Sequence, residues 1–230
     1  MKIACGIWLV LTAWIQAAAL DFTTTFKEIH APADIKTVTA DFDFTNRSNK
    51  PVSIAKYDPS CSCIAVQVKD GKLRYEPGES GTIRAEFSMG NFSGTVDKMV
   101  VLWLNNDPTD KPSLTLNVRV HIPVLVVLEP KTLKWDLNGK GQPQTIRITM
   151  KYEKPIRVTS VSASSDAFKH ELKTVEEGKT YDLVVTPTDI KTPTLGIFRI
   201  ETDCQIEKHR IQQVFATVRR PNPADAAVKP

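Results

Sequence analysis

The feature that most restricts the fold of this chain is a recurring alternation of apolar and polar residues over short runs. Phe42 and Phe44 flank an aspartate, and the same alternation recurs in residues 83–87 and, most clearly, in residues 114–122. A period of two is typical of a strand that buries one face. Polar, glycine- and proline-containing segments separate the runs at intervals of roughly 8–12 residues, a spacing typical of β-sandwiches. The sequence therefore predicts an all-β fold.

The residues between the runs predict particular turns. Asp70-Gly71 is typical of a β-hairpin turn, and Pro77-Gly78 fits the two central positions of a type II turn, where the second residue takes φ > 0. The run Met99–Leu104 is almost entirely apolar. We therefore predict for it a central strand that is buried on both faces.

The second half of the chain repeats this plan more faintly. Residues 154–158 resemble residues 50–54, and Glu176-Glu177-Gly178 stands near the place of Pro77-Gly78-Glu79. A length of 230 residues suits two domains of roughly 100 residues each. We predict a duplicated sandwich unit, with domains at residues 20–125 and 126–219 and a disordered tail at residues 220–230.

The N-terminus has the pattern of a cleaved secretory signal peptide. Lys2 precedes an apolar segment at residues 3–15, and small residues follow at Ala17-Ala18-Ala19. We predict cleavage after Ala19, so that residues 1–19 are removed and the mature protein is periplasmic or extracellular. No later stretch approaches the roughly 20 apolar residues of a membrane span, so no transmembrane segment is expected after cleavage.

Cleavage removes Cys5 and leaves Cys61, Cys63 and Cys204 as redox or disulfide candidates. Because their number is odd, at least one thiol is free, metal-bound or paired with another molecule. Parallel Cβ vectors at positions i and i+2 of a regular strand disfavour a Cys61–Cys63 disulfide, whereas a turn or bulge permits a strained one that is easily reduced. The remaining alternatives are Cu(I) or Zn²⁺ binding by Cys61 and Cys63, a bridge to Cys204, and simple packing of small thiols.

Other functional classes find little support in the sequence. No basic run interleaved with aromatic residues is present among the 30 basic and 26 acidic residues, so no nucleic-acid partner is expected. The chain has no phosphate-binding glycine loop, no Gly-x-Ser-x-Gly motif and no distinctive carboxylate pair, so we predict no catalytic or cofactor-binding residues and no enzyme. The four histidines show no ligand-like spacing and are interpreted as solvated surface residues: His30, His121, His170 and His209.

Several short motifs together resemble one known family. They are Phe42, Phe44 and Asn46; Pro51; Ser60, Cys61 and Cys63; Pro77, Gly78 and Glu79; Gly81; and Asn106-Asp107. Over about residues 38–122 this pattern resembles the bacterial exported proteins of the domain-of-unknown-function 1573 family (DUF1573). Ser62 and Ile64 depart from the glycine and threonine usual in that family. The resemblance implies an immunoglobulin-like fold, hence two tandem immunoglobulin-like β-sandwich domains, and implies no activity.

Three functional hypotheses follow. The leading one is a non-enzymatic structural or interaction protein of the bacterial envelope, with an envelope protein as its unidentified partner. The alternative is a thiol-redox or copper-handling protein that uses Cys61 and Cys63, with Cu(I) as the candidate ion. The third is a periplasmic chaperone in which Leu114–Ile122 serves as an edge strand.

Overall fold

The computed structural model describes residues 19–105 and 107–221. The predicted signal peptide up to residue 18, Asn106 of the family motif and residues 222–230 of the predicted tail lie outside the described residues. Strands dominate the described part, whose only helical elements are two short 3-10 turns, Lys69–Gly71 and Glu207–His209. Neither of these has the length or apolar character needed to span a membrane.

The first half of the chain forms two sheets from nine strands. One sheet has the order β1-β3-β7-β5 and the other the order β2-β9-β8-β4-β6. The strands are β1 (Leu20–Phe22), β2 (Phe26–His30), β3 (Thr37–Asn46), β4 (Val52–Pro59), β5 (Ile64–Val68), β6 (Arg74–Tyr75), β7 (Ser80–Ser88), β8 (Gly94–Leu104) and β9 (Leu114–Ile122).

The second half forms two further sheets from eight strands, in the orders β10-β12-β15-β14 and β11-β17-β16-β13. The strands are β10 (Val126–Glu129), β11 (Thr132–Asp136), β12 (Gln144–Met150), β13 (Val158–Ala163), β14 (Phe168–Glu176), β15 (Thr180–Pro187), β16 (Thr194–Thr202) and β17 (Ile211–Arg219).

The two halves share one strand topology. The order β10-β12-β15-β14 follows β1-β3-β7-β5 position by position, and β11-β17-β16-β13 follows β2-β9-β8-β4. The turns that precede β7 and β15 also correspond. Gly78 (φ +82°) and Gly178 (φ +73°) both adopt the left-handed conformation that these turns require. The predicted all-β sandwich fold is confirmed. The two halves have corresponding strand orders, and the domain bounds at residues 20–125 and 126–219 stay a prediction.

Two compact units can be distinguished in the chain. The first comprises residues up to 28, 37–88 and 97–119, and the second comprises residues 29–36, 89–96 and those from 120 onward.

Each half has a core made by the apolar members of the alternating runs. Phe42, Ile83 and Phe87 are fully buried in the first half. In the second half Ile148, Leu183 and Phe198 belong to one buried cluster. Each such side chain stabilises the fold by about 1.5–3 kcal/mol when it leaves water, so the alternation supplies the folding energy as well as the strands.

The prediction that Met99–Leu104 is buried on both faces is wrong. Within β8, Val100, Leu102 and Leu104 are buried, whereas the Met99 side chain is 45% exposed. The strand is central, between β9 and β4, but it pairs antiparallel with β4 and buries only every second side chain at its C-terminal end. The run is almost entirely apolar because its outward-facing side chains, such as Met99, are apolar as well as those in the core.

The turn at Asp70-Gly71 forms, but no hairpin results. Asp70 (φ 59°) and Gly71 (φ 64°) are both left-handed, and the Lys72 N–H donates to the Lys69 carbonyl at 3.3 Å. The strands on either side, β5 and β6, pair with β7 and β4 respectively and so belong to different sheets. The local sequence therefore determines the turn, whereas the packing of the two sheets determines which strands pair on either side of it.

The proposal of Leu114–Ile122 as an edge strand is also wrong. This strand, β9, lies between β2 and β8 in its sheet. Both of its backbone edges are therefore used for strand pairing, which removes the feature on which the chaperone hypothesis depended.

Candidate functional site

The predicted cysteine site lies in the turn between β4 and β5. The Ser60 N–H donates to the Met99 carbonyl at 3.0 Å and so ties the start of the turn to β8. The Ile64 N–H donates to the Cys61 carbonyl at 3.2 Å, and the Ser88 N–H donates to the Cys63 carbonyl at 2.9 Å. The turn is thus held by backbone hydrogen bonds at both ends.

Cys61 and Cys63 form a disulfide with their Cα atoms 5.2 Å apart. This separation lies within the usual range for disulfides and below the roughly 6.5–7 Å between positions i and i+2 of a regular strand. The turn therefore supplies the local departure from strand geometry that the pairing needs.

The disulfide is accessible and lies beside a positive charge. Cys61 and Cys63 are half-buried, and Ser62 between them is exposed. The Lys98 ammonium donates to Cys61 Sγ at 3.7 Å. A nearby ammonium stabilises a thiolate, so the arrangement favours Cys61 as the sulfur that carries negative charge when the bond opens.

Large apolar side chains are exposed close to this turn. Met99, whose backbone pairs with Ser60, is 45% exposed, and Tyr57 near the end of β4 is 39% exposed. On the same pair of strands Lys56 places its ammonium 4.5 Å from the centre of the Trp103 ring. The two strands that lead to the disulfide turn therefore carry exposed side chains of the kinds that are common in protein-binding surfaces.

Cys204, the third cysteine candidate, lies elsewhere and has a different environment. It follows β16, is 2% exposed and belongs to the buried cluster of the second half as a free thiol. Since Cys61 and Cys63 bond to each other, neither bridges to Cys204. Ser164-Ser165 occupy the corresponding turn between β13 and β14, so the second half has no equivalent sulfur pair.

The interpretation of all four histidines as isolated surface residues is wrong. His209 is only 3% exposed, and its Nε2 has no hydrogen-bond partner in the described part of the protein. Burial lowers the pKa of His209, and the charge of Lys208 lowers it further. Of the four, His170 is the one that stays on the surface as an exposed residue of β14 without another histidine at its side.

His30 and His121 lie side by side on the neighbouring strands β2 and β9. Their rings stack with centroids 4.6 Å apart and planes inclined by 17°. The Thr95 hydroxyl lies 3.1 Å from His121 Nδ1.

The sequence contained no local signal for this pair of histidines. His30 belongs to β2. His121 belongs to β9, far along the chain, and only the pairing of β2 with β9 brings it to the same place. Ligand spacing within one segment could not reveal a group built across two strands.

The fold and the site together define a class: immunoglobulin-like β-sandwiches, here with a half-exposed disulfide in one inter-strand turn. A family model described as "Protein of unknown function (DUF1573)" matches residues 20–120. The resemblance to this family found in the motifs of the chain is therefore confirmed over this range.

The solved structures similar to this chain are distant. A protein of unknown function from Porphyromonas gingivalis W83 is 13% identical, with 88% of this chain and 100% of that one covered and a TM-score of 0.35. The ASH/PapD-like domain 7 of human CEP192 is 7% identical, with coverages of 54% and 98% and a TM-score of 0.36. The YadV chaperone is 9% identical, with coverages of 86% and 99% and a TM-score of 0.29. No curated protein matches the sequence.

Proposed function

We propose that this protein is an exported interaction protein that exchanges its Cys61–Cys63 disulfide with the thiols of a partner protein. The observation that carries the proposal is a half-exposed disulfide with the Lys98 ammonium 3.7 Å from one of its sulfurs. Accessibility and a stabilised leaving thiolate are the two properties that favour attack by an external thiol.

A disulfide at this position can stabilise the folded state only weakly. It closes a loop of only three residues, Cys61 to Cys63. In the chain-entropy description such a loop stabilises the folded state by about 1.6 kcal/mol, below the range of roughly 2–4 kcal/mol typical of disulfides. The short loop therefore favours a chemical role over a stabilising one.

The exchange proceeds in two steps. A partner thiolate attacks Cys63 Sγ, which forms a mixed disulfide and releases Cys61 as a thiolate beside Lys98. A second thiolate of the partner then attacks the partner sulfur of the mixed disulfide and releases Cys63. The partner ends as a disulfide, and Cys61 and Cys63 end as thiols after taking up two protons. Two electrons pass from the partner dithiol to this protein.

The surroundings favour a protein as the source of these thiols. Met99 and Tyr57 expose apolar area beside the turn, which a small hydrophilic thiol would leave uncovered. An oxidising compartment, periplasmic or extracellular, is where such a disulfide persists. Consistent with export, β1 begins at Leu20, directly after the predicted cleavage position. Copper handling requires the reduced thiolates, so the bonded state of the two sulfurs favours exchange.

The test uses the oxidised mature protein and a synthetic peptide carrying Cys-x-x-Cys as a dithiol. Mass spectrometry should show the peptide losing two hydrogen masses while the protein gains two. The Lys98→Gln variant should react more slowly by about tenfold, because its Cys61 thiolate lacks the adjacent charge.

Two control variants separate the local charge from other effects. Lys98→Arg should keep a near-normal rate because it keeps the charge, and Lys56→Gln removes an ammonium that lies over Trp103 instead of the disulfide. A disulfide that resists the peptide dithiol, or a Lys98→Gln variant that reacts as fast as the unchanged protein, would refute the proposal.

A further inference from the structure

One backbone edge of strand β14 has no partner strand in the described part of the chain. This strand, Phe168–Glu176, lies at the end of the sheet β10-β12-β15-β14, and all of it belongs to the second compact unit. Its nine residues make it the longest of the strands that stand at a sheet edge in the described chain. A long edge with unpaired N–H and C=O groups is a template for pairing with another chain.

The ladder between β14 and β15 shows which backbone groups face this open edge. The Thr188 N–H donates to the Ala167 carbonyl at 2.9 Å, one position before the ladder of β14 begins. Hydrogen-bonded and non-hydrogen-bonded pairs alternate in an antiparallel ladder, so the odd-numbered residues in the regular part of β14 bond to β15. The N–H and C=O groups of His170, Leu172 and Thr174 therefore point away from β15, toward the open edge.

We propose that β14 pairs antiparallel with β14 of a second copy of this chain, around a two-fold axis at Leu172. Leu172 is the midpoint of the strand, so this register gives the largest overlap of the strand with its copy. Leu172 then lies opposite Leu172 of the second copy, and His170 lies opposite Thr174 of the second copy. The backbone groups of these residues are the ones that face the open edge, so each finds a hydrogen-bond partner across the axis.

The charges on β14 favour this register over its neighbours. Glu171 and Lys173 are exposed, share one face of the strand and form an ion pair within the chain at 3.4 Å. Around an axis at Leu172, Glu171 lies directly opposite Lys173 of the second copy, and this pair occurs twice. An axis at Glu171 or at Lys173 would instead place like charges opposite each other, which is unfavourable in an antiparallel pair.

The packing of β14 on β15 is consistent with a contact centred on Leu172. This side chain is half-buried, although Leu183, which lies opposite it on β15, is fully buried. A second Leu172 beside the first would cover the apolar area that is still exposed. The regular ladder ends at a bulge between Thr174 and Glu176, so the pairing is expected to centre on residues 170–174.

The experiment is analytical ultracentrifugation of the oxidised mature protein over a series of concentrations. We expect the mass to rise with concentration from that of one chain toward that of two chains. Glu171→Lys and Lys173→Glu each place like charges opposite each other across the axis, so each should weaken self-association by about tenfold or more.

Mixing the two variants separates the contact between chains from the ion pair within a chain. When one chain carries Glu171→Lys and the other carries Lys173→Glu, every charge pair across the axis is again of opposite sign. The mixture should therefore associate about as strongly as the unchanged protein. The ion pair within each chain stays broken in both variants, so a merely structural role of these residues would give no recovery.

Glu201→Lys is the matched control. It breaks the 2.9 Å ion pair of Glu201 with Arg199, which has the same spacing but lies on β16 of the other sheet. This variant should associate like the unchanged protein. A single-chain mass of the unchanged protein at every concentration, undiminished association of both single variants, or a mixture that fails to associate would overturn the proposal. Since the disulfide is untouched throughout, none of these results bears on the exchange chemistry.

Discussion

At the scale of single residues, Asn46 connects the family motif to a physical role. It is fully buried, and its Nδ2 donates to the carbonyls of Lys50 and Tyr75, both at 2.9 Å. Its Oδ1 accepts from the N–H and the hydroxyl of Ser48. A buried amide must satisfy nearly all of its hydrogen-bonding capacity, and here the turn after β3 and the end of β6 do so. The asparagine therefore joins two segments that pairing of strands alone does not connect.

His209 gives a prediction about pH. Its pKa is lowered from the ordinary value of 6.5, first by burial and then by Lys208. The unfolded chain therefore binds a proton more readily than the folded one. Above pH 6.5 this residue should not affect the free energy of unfolding. As the pH falls below 6.5, the unfolded chain takes up a proton first, so the free energy of unfolding should fall until the pH reaches the lowered pKa of the folded state.

Urea unfolding at about pH 7.5 and about pH 5 measures the effect. His209→Leu should reduce the loss of unfolding free energy between the two values, because an unpartnered Nε2 is replaced by an apolar group. His170→Leu serves as the comparison and should leave the pH dependence unchanged. An unchanged pH dependence in His209→Leu would show that burial does not suppress protonation of this residue.

At the scale of elements, β7 depends on a glycine in its second position. A Cβ atom at Gly81 would lie 2.6 Å from both Phe44 Cζ and Tyr75 Cε1. Those two rings meet edge to face with centroids 4.8 Å apart, and both are buried. The Tyr75 hydroxyl also donates to the Lys72 carbonyl at 2.7 Å, which restricts movement of its ring.

Gly81→Ala should therefore destabilise the protein by about 1–3 kcal/mol through overpacking. The free energy of unfolding from urea titration measures this. Glu86→Ala, an exposed position further along the same strand, should change it by less than about 0.5 kcal/mol. Equal stability of the two variants would mean that the aromatic pair can move aside.

At the scale of the whole molecule, the mature chain should have three cysteines in two chemical states. Cys61 and Cys63 are joined, and Cys204 is a buried free thiol. We expect intact-mass measurement to give a chain that begins at Leu20. Alkylation should add no label to the native protein, one label after unfolding without reductant, and three after unfolding with reductant.

The same measurement tests two predictions: the disulfide between Cys61 and Cys63, and cleavage of the chain after Ala19. Labelling of two thiols in the native protein would show that the Cys61–Cys63 pair is reduced. A mass that includes residues 1–19 would contradict cleavage after Ala19. Each result leads to a different conclusion, because the label count reports sulfur bonding and the mass reports the N-terminus.

Much of the local structure follows from the sequence. The alternation at Phe42–Phe44 and Ile83–Phe87 predicts strands, since side chains of a strand point to opposite faces in turn and only one face is buried. Gly78 was placed in its turn by sequence alone, because a type II turn needs a residue with φ > 0. These features depend on a few neighbouring residues and on whether each is apolar.

Features that require two distant segments were not predictable in the same way. Nothing local shows that β5 and β6 enter different sheets, or that β9 is flanked on both sides. Cys61 and Cys63 could be recognised as a pair, but their bond depends on a turn whose ends are tied to Met99 and Ser88. Burial of His209 depends likewise on contacts made by residues far from it in the chain.

The sequence by itself thus determined the strands, several of the turns, the repeated plan and the one unusual sulfur pair, because each is encoded by residues close together in the chain. Only the tertiary structure decided which strands are neighbours, and with them the meeting of His30 with His121. Strand pairing has this power because hydrogen bonds between backbones are the same for every residue type, so the choice of partner is made by the packing of the whole sandwich.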